Sequence, residues 1–202
     1  MSLFFESIKL LDGQLYALDM HQKRVDRTLK AHFKLFKGIY LKEKLSSINL
    51  PQSGLFKVRI RYNSQITNID IDPYSLKSHT KIKIIQKDNI LYPFKTMERS
   101  ILHFDIKETD DVIFVKNNHI CDASYSNIAL FDGLDWCTPD TYLLAGVKRE
   151  FLLSQKKIIQ KPILLDDLQK YSQIAFINAM RDFEKTYTFV KKDQLLILDP
   201  VI

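Results

Sequence analysis

The sequence predicts an α+β fold in two lobes, a small one over residues 1–80 and a larger one over 81–202, with a crevice between them. Three observations carry this expectation. Residues 1–74 read as a strand pair, a helix and a second strand pair, a small α+β unit. From Asp111 onward short alternating runs recur between turn signals, so the second lobe is rich in strands. The length of 202 residues, with 46% apolar and 27% charged side chains, suits a globular chain that buries about 70% of its extended surface. No disulfide or metal is needed to hold such a core.

In order along the chain, residues 2–11 alternate and end at Asp12-Gly13, and Gln14 to Leu18 follows. Asp-Gly between two strand-like runs is a hairpin signal. Asp19 with Gln22 three residues on looks like a capping-box start. Val25, Leu29, Phe33, Phe36 and Tyr40 then recur at helical spacing. Leu50-Pro51-Gln52-Ser53-Gly54 breaks the segment. Phe56, Val58, Ile60 and Tyr62 alternate with Lys57, Arg59 and Arg61, and Asn63-Ser64 turns into Ile66–Asp72. One face of this second hairpin therefore carries three cations. Pro73–Thr80 reads as a boundary loop and Lys81–Gln86 as a strand. A short helix is expected over Glu98–Lys107. Val112–Val115 turns at Asn117-Asn118 into Ile120-Cys121, and Ile128–Phe131 turns at Asp132-Gly133 into Trp136. Gly146 opens a helix to about Ser154, and Asp166-Asp167 open a shorter one. Ile174–Ile177 and Leu195–Leu198 close the lobe as strands.

Glycine is the informative count. There are 5, where average usage would give about 14. They stand at 13, 38, 54, 133 and 146, never clustered, which excludes G-x-G-x-x-G and Walker-type loops. The net charge of +6 comes from scattered lysines, not a basic stripe with interleaved aromatics, so small anions fit better than nucleic acid. Cys121 and Cys137 have neither C-x-x-C spacing nor a zinc-spaced histidine, so a reduced cytoplasmic protein without a metal is expected. The start, Met-Ser-Leu-Phe-Phe-Glu, lacks the basic n-region of a leader. No run approaches the 18 apolar residues of a membrane span.

From residue types alone the chemistry stays open. The five histidines are scattered, and Asp110-Asp111 and Asp166-Asp167 read as element caps. Lys95 differs, because it follows Pro93-Phe94, where an apolar setting favours a neutral, nucleophilic amine.

Several segments in order resemble the class IV aminotransferase family, the fold-type IV pyridoxal-phosphate enzymes. These are Phe5-Glu6-Ser7-Ile8-Lys9 with Leu18 to Val25, Lys95-Thr96-Met97-Glu98-Arg99, and Asp122-Ala123-Ser124-Tyr125-Ser126-Asn127. Thr138-Pro139 with Gly146-Val147-Lys148-Arg149, and Asn178-Ala179-Met180-Arg181, complete the set. The Lys-Thr-x-x-Arg form is similar to that of 4-amino-4-deoxychorismate lyases.

The resemblance implies pyridoxal 5'-phosphate carried covalently by Lys95, which then moves the Cα proton. It implies Asp122, followed by Asn127, as the acid facing the ring nitrogen. Arg24 and the backbone N–H groups of Val147 and Lys148 would take the phosphate. Arg59, Arg61 and Arg149 are the candidates for substrate carboxylates. The chain departs from the family pattern: it begins late, it has Asp122 where Glu is usual and Lys148 where a hydroxyl residue is usual, and its stretches Lys95–Asp111 and Thr138–Gly146 are short. The activity implied is pyruvate elimination to 4-aminobenzoate, a step in folate biosynthesis. A class IV transaminase of the branched-chain or D-amino-acid type is the alternative, and a non-catalytic cofactor- or partner-binding relative the third reading. A homodimer acting on a small anionic, amino-acid-like substrate is expected, with neither nucleic acid nor membrane as partner.

Overall fold

A computed structural model describes residues 2–33, 37–104 and 108–201. The chain divides into two compact units. The first is Met1–Leu76 together with Phe94–Glu98, and the second is Lys77–Pro93 with Arg99–Ile202. The division thus falls four residues before the expected boundary, and the Lys95 motif, expected in the larger lobe, belongs to the smaller unit.

In the first unit the strands β1 (Phe4–Leu11), β2 (Gln14–Leu15), β3 (Leu55–Tyr62) and β4 (Ile66–Pro73) form an antiparallel sheet in the order β2-β1-β3-β4. Helices α1 (Leu18–His32) and α2 (Leu41–Ser46) lie between the two hairpins in sequence. Asp12 and Gly13 both take positive φ, 48° and 78°, as a tight two-residue hairpin turn requires. Alternate residues of β1 and β3 (Phe4, Ile8, Leu10; Val58, Ile60, Tyr62) pack with Val25, Leu29, Leu41 and Leu45 of the helices.

The helix differs in detail from its expected form. It starts after Ala17 in the left-handed region, with no side-chain cap. Gln22 instead serves α2: its Nε2 donates to the Ile39 carbonyl and its Oε1 accepts from the Leu41 N–H, at 2.6 and 2.8 Å. α1 ends at His32, and Phe33 is already extended. Phe36 of the expected stripe lies outside the described residues.

The second unit is a nine-stranded sheet. Its strands are β5 (Lys81–Gln86), β6 (Asp111–Lys116), β7 (His119–Ala123), β8 (Asn127–Phe131), β9 (Trp136–Pro139), β10 (Ile159–Lys161), β11 (Gln173–Ile177), β12 (Thr186–Lys192) and β13 (Leu195–Pro200). They run in the order β10-β9-β8-β11-β12-β13-β5-β6-β7. The β5–β6 and β9–β10 pairs are parallel. Helix α3 (Val147–Ser154) links β9 to β10, with Gly146 as its N-cap. Val112 to Val115 is an unbroken buried run, because both faces of β6 are covered. One face packs with Ile82, Ile128, Leu130, Ile174 and Leu196, the other with Tyr92, Leu102, Cys121 and Leu143. The helix expected over Glu98–Lys107 is only a 3-10 turn at Ser100–Leu102, and residues 105–107 lie outside the described residues.

Candidate active site

Lys95 sits on a short extended piece laid along the start of β1. The Phe5 N–H donates to the Lys95 carbonyl at 3.0 Å, and the Met97 N–H donates to the Leu3 carbonyl at 2.8 Å. Phe94 packs into the helix-side core. The Lys95 side chain lies on the other face, its Nζ 4.6 Å from the centre of the Phe5 ring. Ladder pairing puts Phe5 opposite Arg61, Ser7 opposite Arg59 and Lys9 opposite Lys57. The sheet face turned away from the helices therefore carries Phe5, the predicted cations and Lys95.

On the helix side of the same strand stands a buried charge cluster. Glu6, wholly buried, accepts from Arg24 Nε at 2.8 Å and from Arg24 Nη2 on its other oxygen. His21 Nδ1 lies 2.6 Å from the same carboxylate. Burial pushes the Glu6 carboxyl up, but the Arg24 charge and the hydrogen bonds of His21 and Arg24 outweigh it, and its pKa falls to about 2. Burial also lowers the pKa of His21, against the pull of Glu6. Arg24, expected to face phosphate, is itself only 6% exposed and spends two of its nitrogens on Glu6.

In the second unit Asp122 ends β7 and is buried. Its Oδ1 accepts from Asn127 Nδ2 at 2.8 Å, and its Oδ2 accepts the N–H groups of Leu143 and Leu144 at 2.8 and 3.0 Å. Burial raises its pKa to about 6, with the three donors acting against that rise. A carboxylate offers about four acceptor sites, so a site on Oδ1 remains beyond these three donors. Asn127 also donates to the Leu144 carbonyl at 2.9 Å, and its Oδ1 would lie 1.9 Å from a Cβ built on Gly146. Only glycine permits that approach. Asn127 thus ties the buried acid to the start of α3, where Val147, Lys148 and Arg149 present N–H groups without intrahelical acceptors.

The turn between Asp122 and Asn127 is held at three further points. Asp111 accepts from the Ser124 N–H and hydroxyl, Arg99 Nη2 donates to the Ser124 carbonyl at 2.5 Å, and Asn178 Nδ2 donates to the Tyr125 carbonyl at 3.4 Å. Two expected motifs, those of Arg99 and Asn178, therefore meet the third motif here.

The structure corrects one candidate and separates two others. Arg149 was expected to meet substrate, but it is 2% exposed. Its guanidinium donates to the Thr138 hydroxyl, the Pro139 carbonyl and the Gln160 side chain, at 3.2, 2.9 and 2.8 Å, and Tyr142 covers it. It is a strut joining α3 to β9 and β10. Arg61 is paired with Asp70 at 2.8 Å. Arg59 makes no ion pair among the described residues, and its Nε is buried without an acceptor. The Lys148 ammonium lies 5.9 Å from the Phe151 ring. Sequence reasoning missed Glu6, although a signal was present: it stands in phase with the apolar Phe4, Ile8 and Leu10.

Comparison with known proteins follows the same lines. The family model for amino-transferase class IV matches residues 89–183. An uncharacterised Haemophilus influenzae protein is 31% identical over 182 residues, covering 87% of this chain and 96% of that protein. A solved Haemophilus somnus structure, provisionally described as a 4-amino-4-deoxychorismate lyase, superposes with a TM-score of 0.82 at 31% identity. That match covers 89% of this chain and 97% of the other. A hypothetical aminotransferase from Mycobacterium tuberculosis in its PLP-bound form shares the fold, with a TM-score of 0.68 at 14% identity over 89% of this chain and 80% of that one. No helix among the described residues is long and apolar enough to cross a membrane.

Proposed function

Because this chain belongs to the class IV aminotransferase family, we propose that it is a pyridoxal-phosphate enzyme of the 4-amino-4-deoxychorismate lyase type. It removes pyruvate from an aminated chorismate and leaves 4-aminobenzoate. That the chain is an enzyme, a lyase or an aminotransferase, follows from the family itself. The lyase reading rests on the likeness to the H. somnus structure at 31% identity and on the Lys-Thr-x-x-Arg form of residues 95–99.

The single observation that carries the cofactor reading is the linkage of Asp122, Asn127 and Gly146. It joins a buried acid, with acceptor capacity to spare, to a helix N-terminus. These residue types fit the group's two polar ends, a ring nitrogen and a phosphate. When bound, pyridoxal phosphate supplies an electron sink for the charge left at the substrate Cα. Lys95 Nζ would hold the cofactor, and the same amine would accept and return the Cα proton. Asp122 would hold the ring nitrogen, its negative charge favouring a proton there. The N–H groups of Val147 and Lys148, with the α3 dipole behind them, would take the phosphate. Arg24, its plane set by Glu6, adds positive charge in the first unit.

Product analysis tests the reading. The loaded enzyme should convert the aminated chorismate to equimolar 4-aminobenzoate and pyruvate, and an amino acid alone should leave the bound cofactor unchanged. Conversion of the bound cofactor to pyridoxamine phosphate by an amino acid alone, without 4-aminobenzoate from the first substrate, identifies a transaminase instead. Neither reaction would make the chain a non-catalytic relative.

A further inference from the structure

We infer that Arg59 is the group that recognises a carboxylate of the substrate, set beside Lys95 by the ring of Phe5, and that Asp70 withholds Arg61 from the same task. This rests on the function proposed above for Lys95 and adds to it the residue that reads the substrate's carboxylate.

Phe5, Ser7 and Lys9 of β1 share one face with Lys57, Arg59 and Arg61 of β3 and with Asn68, Asp70 and Asp72 of β4. Direct pairing sets Arg59 opposite Asp70, the position from which an ion pair is expected. The pair that forms is the diagonal one. Arg61 Nη2 reaches Asp70 Oδ2 at 2.8 Å, and Asn68 donates to the other oxygen at 2.7 Å. Asp70 thereby holds Arg61 as an ion pair through an Oδ2 that makes no hydrogen bond, and accepts from Asn68 on Oδ1. The Nε atoms of Arg59 and Arg61 are both buried with no acceptor, but Arg61 has Asp70 as its counter-charge, and the half-buried Arg59 forms no ion pair among the described residues. A charged donor removed from water without an acceptor is unfavourable, and an arriving carboxylate relieves that cost. The planar fork of arginine matches a carboxylate in two parallel hydrogen bonds, which a lysine does not.

Phe5 fixes where that carboxylate would sit. The Arg59 guanidinium carbon lies 5.8 Å from the centre of the Phe5 ring and Lys95 Nζ lies 4.6 Å from it. One small aromatic ring, itself buried, therefore spaces the carboxylate-reading group from the reactive amine. Ser7, directly opposite Arg59 in the ladder, adds a hydroxyl donor on the same face. A substrate with an amino-bearing carbon at Lys95 and an anionic group a few bonds away meets both.

The test is calorimetric titration with benzoate, which carries a carboxylate and has no aliphatic amine to react, and with benzamide as its uncharged counterpart. Wild type, Arg59→Gln, Arg59→Lys and Arg61→Gln are compared with and without pyridoxal phosphate, and circular dichroism checks their folding. Benzoate should bind the wild type and benzamide should not. Arg59→Gln should weaken benzoate at least tenfold, which is about 1.4 kcal/mol, while Arg61→Gln changes it less than threefold. Arg59→Lys should fall between, keeping charge without the fork. Equal benzoate affinity in wild type and Arg59→Gln, equal binding of benzamide, or no benzoate binding by wild type would each overturn the assignment. The visible absorption of bound cofactor reads the Lys95 proposal separately: its absence would refute that proposal, and titration of the unloaded protein would still decide Arg59.

Discussion

Glu6 stands in phase with Phe4, Ile8 and Leu10 on β1, at a position that faces the helices and not water. A carboxylate there has to be paired, and Arg24 and His21 meet it. Removing one partner of such a pair strands the other as a buried charge. Arg24→Ala should therefore lower the unfolding free energy of the cofactor-free protein by about 3 kcal/mol or more. Adding Glu6→Gln should restore part of the loss, since the stranded charge is then gone. Urea unfolding of the three proteins without cofactor measures this. An Arg24→Ala protein as stable as wild type would mean that Arg24 serves only the phosphate. The residue scale is also where the sequence was hardest to read. Arg59, Arg61 and Arg149 look alike as letters. Their fates depend on Asp70, Gln160 and Pro139, which folding brings near and which no local pattern announces.

Turns and short motifs were legible because their chemistry is local. Asp12-Gly13 closes its hairpin, and Asn117-Asn118 does so with both residues at positive φ, 47° and 62°, a conformation that asparagine tolerates. Gly146 opens α3 where expected. Elements defined by distant partners were not legible. β12 and β10 are mostly exposed and show no clean alternation, so only their pairing with β11, β13 and β9 makes them strands. A 3-10 turn at Ser100–Leu102 stands where a longer helix was expected, and the chain is already extended at His103. At this scale Gly146 is the sharpest prediction. Its φ of −76° suits any residue, so an added methyl is resisted by contact alone. Asn127 cannot swing aside without losing Asp122 and the Leu144 carbonyl. Gly146→Ala should cost about 1–3 kcal/mol in denaturant unfolding, as overpacking of a fitted site does. No loss would show that Asn127 is free to move.

At the scale of the molecule, the two units carry separate parts of the proposed chemistry: Lys95, Arg24 and Arg59 in the first, Asp122, Asn127 and the α3 N-terminus in the second. Each is kept in place by its own buried polar groups, and these leave a signature in pH. His79, stacked on Phe176 and facing Asp111 and Arg181, has its pKa lowered from 6.5 to about 4, first by burial and then by the Arg181 charge, with Asp110 opposing. The folded state prefers neutral His79, so below pH 6.5 the unfolded chain takes up the proton first. The stability it contributes is whole above 6.5 and lost as pH falls toward about 4. Asp122, raised from 3.8 to about 6, works in the opposite sense, its stability highest below 3.8 and falling as pH rises to 6. The stability of wild type relative to His79→Phe should therefore shrink steadily between pH 6.5 and 4 in urea unfolding. A difference that does not change with pH would mean His79 titrates normally.

Lys95 is the proposed point of cofactor attachment, and reduction in place tests it. The protein is incubated with pyridoxal phosphate, reduced with borohydride, digested and mapped by mass spectrometry. The cofactor mass should appear on the peptide containing Phe94-Lys95-Thr96, and Lys95→Ala should carry none. A label on a different lysine, or an unlabelled protein, would contradict attachment at Lys95.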